Sequence, residues 1–489
     1  MLAPPSPPPK DDDHECGWKA YAEAQERFLK EMSEQLESVQ AQLAELKRAR
    51  YGKKSEKRKS PKMPPPVRPE SDPQAAAAKR QHNAKQRDLA CETEVVPVPA
   101  NEGRCTCREC SSEDIHVIGS KQSIVYEHVR EHFRKRVYDR QTVKCHSCGH
   151  VETGPAPKRF GERGRYAASF VAHLIYTKWV SSMPQHRLEK SYRAQGIPLS
   201  RSTMCDLVHR AATELDPIYL RLFPCVREAT DVHADETTIR QQGLDKKAYL
   251  WVFVTSDVIL YRYATTRSGS VPSEVLGDSA GRLVVDQYTG YNHVTTVGNR
   301  IRGGCLAHAR RKIFEQNKFP EADEALELIS EIYRIEVDAK KAKLTQDELL
   351  EVRQRESKPI FTKLLCWGRR YRGNHEPRSA MGKAIRYVLK NRRALGCFLR
   401  YPSIPPDNNP AEAAMRRPAL GRVNYLSVGN ERTGYNHAVL YSLVATCEKH
   451  GVNPIDYLAD VLMRIQDHPA SRIDELLPHR WKPPDVVAS

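Results

Sequence analysis

The sequence predicts an α+β multidomain protein, and three features carry that prediction. Two Cys-x-x-Cys pairs precede a block of short β-branched and aromatic segments, a long helical stretch follows that block, and a heptad repeat stands near the N-terminus. The 489 residues allow about three domains. With 78 Lys plus Arg against 61 Asp plus Glu, the formal charge is +17, which favours a polyanionic partner, nucleic acid first. A membrane protein is excluded, because the best apolar run, 249–261, is broken by Asp257 and falls short of the ~18 residues that a span needs. The N-terminal prolines lead into Asp11, Asp12 and Asp13 rather than a basic, then apolar, signal, so a cytoplasmic protein is expected. In that reducing setting, the thirteen cysteines are read as metal ligands or buried thiols rather than disulfides.

Taken in order, residues 1–18 read as a disordered N-terminus and 19–52 as a coiled-coil helix. Leu29, Met32, Leu36, Val39, Leu43 and Leu46 follow a 3, 4, 3, 4, 3 spacing, an a/d seam too short to stand alone. It needs another copy, giving a homo-oligomer, or the body of the chain. Residues 53–90, rich in Lys, Arg and Pro, read as a basic disordered linker. Within 91–160, Cys107-x-x-Cys110 and Cys145-x-x-Cys148 lie 34 residues apart, and four thiolates at that spacing suit a zinc ribbon with one structural Zn²⁺. Residues 161–224 read as helix-turn-helix-like: a helix, a break at Gly196, then Ser200-Arg201-Ser202-Thr203 opening a second helix. Arg201 and His209 could face a DNA groove, although the same pattern also suits a plain helical bundle.

Residues 225–305 turn to strands, at 229–239, 248–255, 258–263 and 283–286, in meander order. Asp235 lies in the first and Asp286 ends the last, so neighbouring strands would let both carboxylates reach one metal. The stretch 306–403 reads as a helical insertion, 404–434 as the return to the core, and 435–489 as C-terminal helices. Within the return, Asn409-Pro410 reads as N-cap and first helical residue, with Glu412 in the first turn, where it could equally close a capping box. Asp231, on the same strand face as Asp235, is an alternative ligand. Glu236 points to the opposite face, Asp407 suits a turn, and His308 is not counted as a metal ligand. The cations Arg310, Arg311, Lys312, Arg416, Arg417 and Arg422 suit phosphate binding.

Several motifs in one order resemble the transposases of the insertion-sequence-66 family. They are Tyr51-Gly52-Lys53-Lys54-Ser55-Glu56-Lys57, the Cys pairs, Met183-Pro184 with Arg187, His233-Ala234-Asp235-Glu236-Thr237, and Asp286-Gln287-Tyr288-Thr289-Gly290-Tyr291-Asn292. Cys305-Leu306-Ala307-His308-Ala309-Arg310-Arg311-Lys312, Asp407-Asn408-Asn409 with Glu412, Gly421-Arg422 and Gly451-Val452-Asn453-Pro454-Ile455-Asp456-Tyr457-Leu458 complete the set. The resemblance implies a ribonuclease-H-like catalytic core, a DDE triad of Asp235, Asp286 and Glu412, and two Mg²⁺ (or Mn²⁺) ions. It implies cleavage of element ends and 3′-OH strand transfer into target DNA, in a prokaryotic, nucleoid-associated setting with possible accessory proteins of the same element. It also overturns the capping reading of Glu412. Ala413, where the family usually has Arg, and Val423-Asn424-Tyr425, in place of Lys-Asn-Trp, depart from the pattern. The rival expectation is a non-catalytic DNA-binding regulator derived from such an enzyme.

Overall fold

A computed structural model describes residues 21–30 and 32, 142–144, 151–153, 159–161, and 166–483 apart from 198, 297 and 298. Two compact units divide the chain, 1–126 and 127–489. In the first, residues 21–30 are helical, and Leu29 and Met32 are exposed; the remaining heptad positions lie outside the described residues. In the second, β1 (Thr142–Lys144) and β2 (Val151–Thr153) pair antiparallel with Lys144 opposite Val151. Cys145 and Cys148 fall between these strands in sequence, and all four expected zinc ligands lie outside the described residues.

Four helices then lead to a sheet: α1 (Ala168–Trp179), α2 (Gln185–Ala194), α3 (Arg201–Glu214) and α4 (Asp216–Glu228). Ser200 caps α3 by accepting the Thr203 N–H at 3.2 Å, and Met204, Val208, Ala211 and Ala212 form its buried stripe. The expected helix, turn and capped helix are therefore present as secondary structure.

The sheet is mixed, in the order β5-β4-β3-β6-β7. Strands β3 (Asp231–Ile239), β4 (Ala248–Val254) and β5 (Ile259–Ala264) form an antiparallel meander. The meander does not continue into the next strand as expected. The chain passes through α5 (Ser270–Leu276) and returns as β6 (Gly281–Val284), parallel to β3, and then as β7 (Arg300–Gly303), parallel to β6. A parallel neighbour requires such a crossover, and Val271, Val275 and Leu276 of α5 are buried. No expectation covered β7, whose lone apolar side chain, Ile301, is exposed. Its anchor is Arg300, 1% exposed, whose guanidinium donates to the carbonyls of Val226, Arg227 and Ala229 and to the Ser279 hydroxyl.

From Leu306 the chain is almost wholly helical: α6 (Leu306–Phe314), α7 (Pro320–Lys341), α8 (Gln346–Val352), α9 (Lys358–Tyr371) and α10 (Ala380–Lys390). These helices enclose a core of their own, built on Ile329, Ile332, Leu364, Trp367, Ile385 and Val388, and Val284 joins it from the sheet. Arg353, 1% exposed, closes this body: it forms a two-pronged pair with Glu336 at 2.7 and 2.6 Å and donates to the carbonyls of Phe398, Pro402 and Ile404. It thereby holds the segment that leads into α11 (Asn409–Tyr425).

Beyond α11, α12 (Glu431–Lys449) covers the outer edge of β5, and α13 (Pro454–Arg464) packs on α1. An uncovered edge would leave N–H groups unpaired. Here Tyr261 N–H donates to Ser442 Oγ at 2.8 Å and Ile259 N–H to Thr446 Oγ1 at 3.1 Å. Gly434 permits the approach, since a Cβ there would meet the Tyr263 ring at 2.5 Å. His209 of α3 turns toward this helix, with Nδ1 2.6 Å from the Asn436 amide, instead of toward a groove. Among the described residues, no helix is long and apolar enough to cross a membrane.

Candidate active site

Parallel pairing sets the position of the first two acids. His233 stands opposite Val284 in the β3–β6 register, so two further residues along bring Asp235 level with Asp286 at the same end of the sheet. Asp286 lies just past β6, not within it, in an extension that Val285 N–H holds to the Gly303 carbonyl at 3.1 Å. Arg302 steadies the loop by donating to the carbonyls of Asp286 and Tyr288. One oxygen of each acid is committed to the backbone: Asp235 Oδ1 accepts the Glu236 N–H at 2.9 Å and Asp286 Oδ1 the Tyr288 N–H at 2.8 Å.

Glu412 comes from the opposite direction, on the first turn of α11. The cap is Asn408, one residue earlier than expected, and it makes no side-chain capping bond. Its amide is used elsewhere: Nδ2 donates to the Ala234 carbonyl at 2.8 Å, and Oδ1 lies 3.1 Å from His233 Nδ1. The helix that carries Glu412 is therefore fastened to β3 at the two residues before Asp235. No capping box forms in α11, and Glu412 Oε1 instead lies 3.6 Å from His308 Nδ1 and 4.0 Å from Cys305 Sγ.

The electrostatics of this corner are those of crowded acids. Burial, above all, pushes Asp235 up to about 7, and the neighbouring charges of Glu236, Asp286 and Glu412 push the same way, against the Glu236 N–H. The oxygens of Asp235, Asp286 and Glu412 do not all lie within 4.8 Å of one another; among the described residues, Cys305, His308 and Glu412 do. Uncompensated carboxylates around one corner suit a hard divalent cation, which would supply the missing positive charge.

The remaining acids have other occupations. Asp231 is held by Arg282 in a two-pronged pair, at the end of β3 away from Asp235, so it serves the sheet. Glu236 has a side chain 2% exposed and is bound by Arg267 at 2.5 Å and the Tyr291 hydroxyl at 2.6 Å. Asp407 accepts the Asn409 backbone N–H at 3.1 Å and its amide at 2.7 Å, as a turn residue does. Of the expected DNA-binding cations, Arg311, Lys312 and Arg416 are exposed and Arg310 is half-buried beside the Phe314 ring. Arg201 pairs with Glu189 at 3.3 Å, and Arg417 with Glu448. Arg422 donates to Thr237 Oγ1 at 2.9 Å and the Thr238 carbonyl at 2.7 Å, bracing α11 against β3. Sequence expectation left out Asn408 and Cys305; their place in short motifs beside Glu412 and His308 is the signal that points to them.

The site is thus an acidic corner at one end of a mixed sheet, with exposed cations on α6 and α11. Residues 163–436 match the model of the transposase IS66 family, and residues 442–479 match the IS66 C-terminal element. The chain belongs to the IS66 family of transposases, and this membership carries a transposase role, enzymatic in kind, and action on DNA. Its relatives include the uncharacterized proteins y4hP and y4jD of Sinorhizobium fredii. The first is 30% identical over 425 residues, 81% of this chain and 76% of that protein. The second is 30% identical over 402 residues, 77% and 78% of the two chains.

Proposed function

We propose that the protein binds the ends of its insertion sequence, cleaves the DNA strand with divalent metal, and transfers the freed 3′-OH into target DNA. The observation that carries this reading is the Asn408 bridge, which fastens the helix of Glu412 to the strand of Asp235 at the level of Asp286. The sheet order, a three-strand meander with two parallel strands added beside the first, supports a ribonuclease-H-like core.

Asp235, Asp286 and Glu412 would hold the ions. Two Mg²⁺ or Mn²⁺ ions bound there supply activation of the attacking oxygen and stabilisation of the leaving oxygen of an in-line displacement. Asp235 is disfavoured as an anion while unaccompanied, so its ionisation and cation binding are coupled. The backbone N–H groups of Glu236 and Tyr288 orient the first two carboxylates before any ion arrives. Arg311, Lys312 and Arg416 grip phosphates, Arg310 lies beside them, and Arg417 and Arg422 add positive field along α11. Arg201 with its helix pair, and the ribbon of Cys107, Cys110, Cys145 and Cys148, grip the element end, while the heptad joins copies into a synaptic oligomer. Ala413 and Val423 are both exposed on α11, so the departures there remove DNA contacts rather than metal ligands.

Incubating a labelled element end and a target plasmid with the full chain and Mg²⁺ tests this reading. The expected result is a nick at the element's 3′ end and a joined product, both abolished by Asp235→Ala. Joining without dependence on Asp235 overturns the site; binding with no cleavage at all leaves a DNA-binding regulator; cleavage without joining leaves a nuclease.

A further inference from the structure

Beside the acidic corner lies a second set of ligands with different chemistry. Cys305 ends the turn after β7 and caps α6, His308 stands one turn further along the same helix, and Glu412 enters from α11. Donor atoms of all three come within 4.8 Å of one another, with 3.6 Å between His308 Nδ1 and Glu412 Oε1 and 4.0 Å between Cys305 Sγ and that oxygen. Tetrahedral bonds of ~2.3 Å to sulfur and ~2.0 Å to nitrogen and oxygen separate the ligand atoms by about 3.3 to 3.5 Å. The two separations to Glu412 Oε1 exceed these by about half an ångström or less.

Two further features point to an ion. His308 Nδ1 is shut off from solvent and has no hydrogen-bond partner, an unusual state for a buried ring nitrogen. Cys305 Sγ is fully buried yet receives the Asn408 N–H at 3.3 Å, the outer contact that steadies a metal-bound thiolate. Thiolate with imidazole selects a borderline-soft ion, whereas the oxygen-only triad selects Mg²⁺.

We propose that Cys305, His308 and Glu412 form a binding site for Zn²⁺ or a similar transition-metal ion, separate from the ribbon and sharing Glu412 with the Mg²⁺ site, with its fourth position open to water. The thiol gives its proton to solvent as the ion binds. The site's consequence rests on the reading of Glu412 as third acid: an ion held here draws that carboxylate toward Cys305 and His308, so zinc and the catalytic ions compete for it.

Zinc content of the purified full-length chain, dialysed against metal-free buffer after loading with Zn²⁺ alone, tests the site. Cys305→Ser and His308→Gln should each lower the content by one ion per chain relative to wild type, while Asp235→Asn leaves it unchanged. His308 has a side chain about a quarter exposed, so its variant reports on the ion even where the buried Cys305→Ser fails to fold. Replacing zinc by Co²⁺ should give thiolate charge-transfer absorption from the four ribbon cysteines plus a share from Cys305, and both Cys305→Ser and His308→Gln should lose that share while the ribbon's remains. Equal zinc content in wild type and His308→Gln overturns the proposal, and so does loss of the ion in Asp235→Asn. Failure of DNA cleavage leaves the zinc count untouched, so the two readings fail separately.

Discussion

Asn408→Ala removes the fastening between the helix of Glu412 and the strand of Asp235. The side chain is buried, 1% exposed, and spans both elements through its bond to the Ala234 carbonyl and its contact with His233 Nδ1. Truncation leaves that carbonyl and a buried imidazole nitrogen without partners, and each such group costs about 1–3 kcal/mol, so a loss of about 2–6 kcal/mol is expected. Across roughly 320 residues this corresponds to a fall in Tm of about 3–9 °C, readable by calorimetry in Mg²⁺-free buffer. Activity should fall further than stability explains. With the bridge gone, the start of α11 is free to shift, and a displacement of about 1 Å at a reacting geometry costs on the order of 100-fold. Arg422→Met supplies the comparison, because it removes bonds between the same helix and Thr237 and Thr238 but far from Glu412. It should lower Tm with a much smaller loss of cleavage in Mg²⁺ at 25 °C. If Asn408→Ala cleaves as fast as Arg422→Met, the bridge does not position Glu412 and the reasoning is refuted.

Asp235 makes metal-free stability depend on pH. Folding raises its pKa from an ordinary carboxylate's to about 7, so the folded state keeps the proton over that interval and stability declines as pH rises from about 4 to about 7. Asp235→Asn should flatten this slope and be more stable than wild type at pH 8 by up to about 4 kcal/mol, an advantage that Mg²⁺ shrinks; urea unfolding at both pH values checks it. Arg353→Met leaves Glu336 and four backbone carbonyls around an emptied site, and should cost about 3–5 kcal/mol in thermal or urea unfolding. Arg311→Glu and Lys312→Glu should weaken binding to DNA of any sequence, each lowering the slope of log K against log salt by about one in fluorescence titrations.

Local patterns carried much of the molecule. Short segments rich in β-branched and aromatic residues between turn residues marked β3, β4 and β5, and apolar residues at helical spacing marked the run after Leu306, because both signals are written over neighbouring residues. The expectation that Asp235, Asp286 and Glu412 act together came from their motifs. Partnerships made over long sequence distances were not legible. That β6 adds parallel to β3 depends on the crossover through α5, and that Asn408 rather than Asn409 caps α11 depends on a carbonyl and a ring 174 and 175 residues away. The burial of Arg300 and Arg353 leaves no local mark either, since arginine is mostly exposed and a cage of backbone carbonyls from distant segments receives each guanidinium.

The sequence by itself determined the family, the residue types available for chemistry, and the positions of most helices and strands, because each is encoded in short stretches of chain. Tertiary structure decided which strand lies beside which, that Glu236 and Asp231 are spent on Arg267 and Arg282, and that Glu412 faces Cys305 and His308 as well as the acidic corner. Those outcomes turn on which buried polar groups can satisfy one another in three dimensions, and residues far apart in the chain supply the partners.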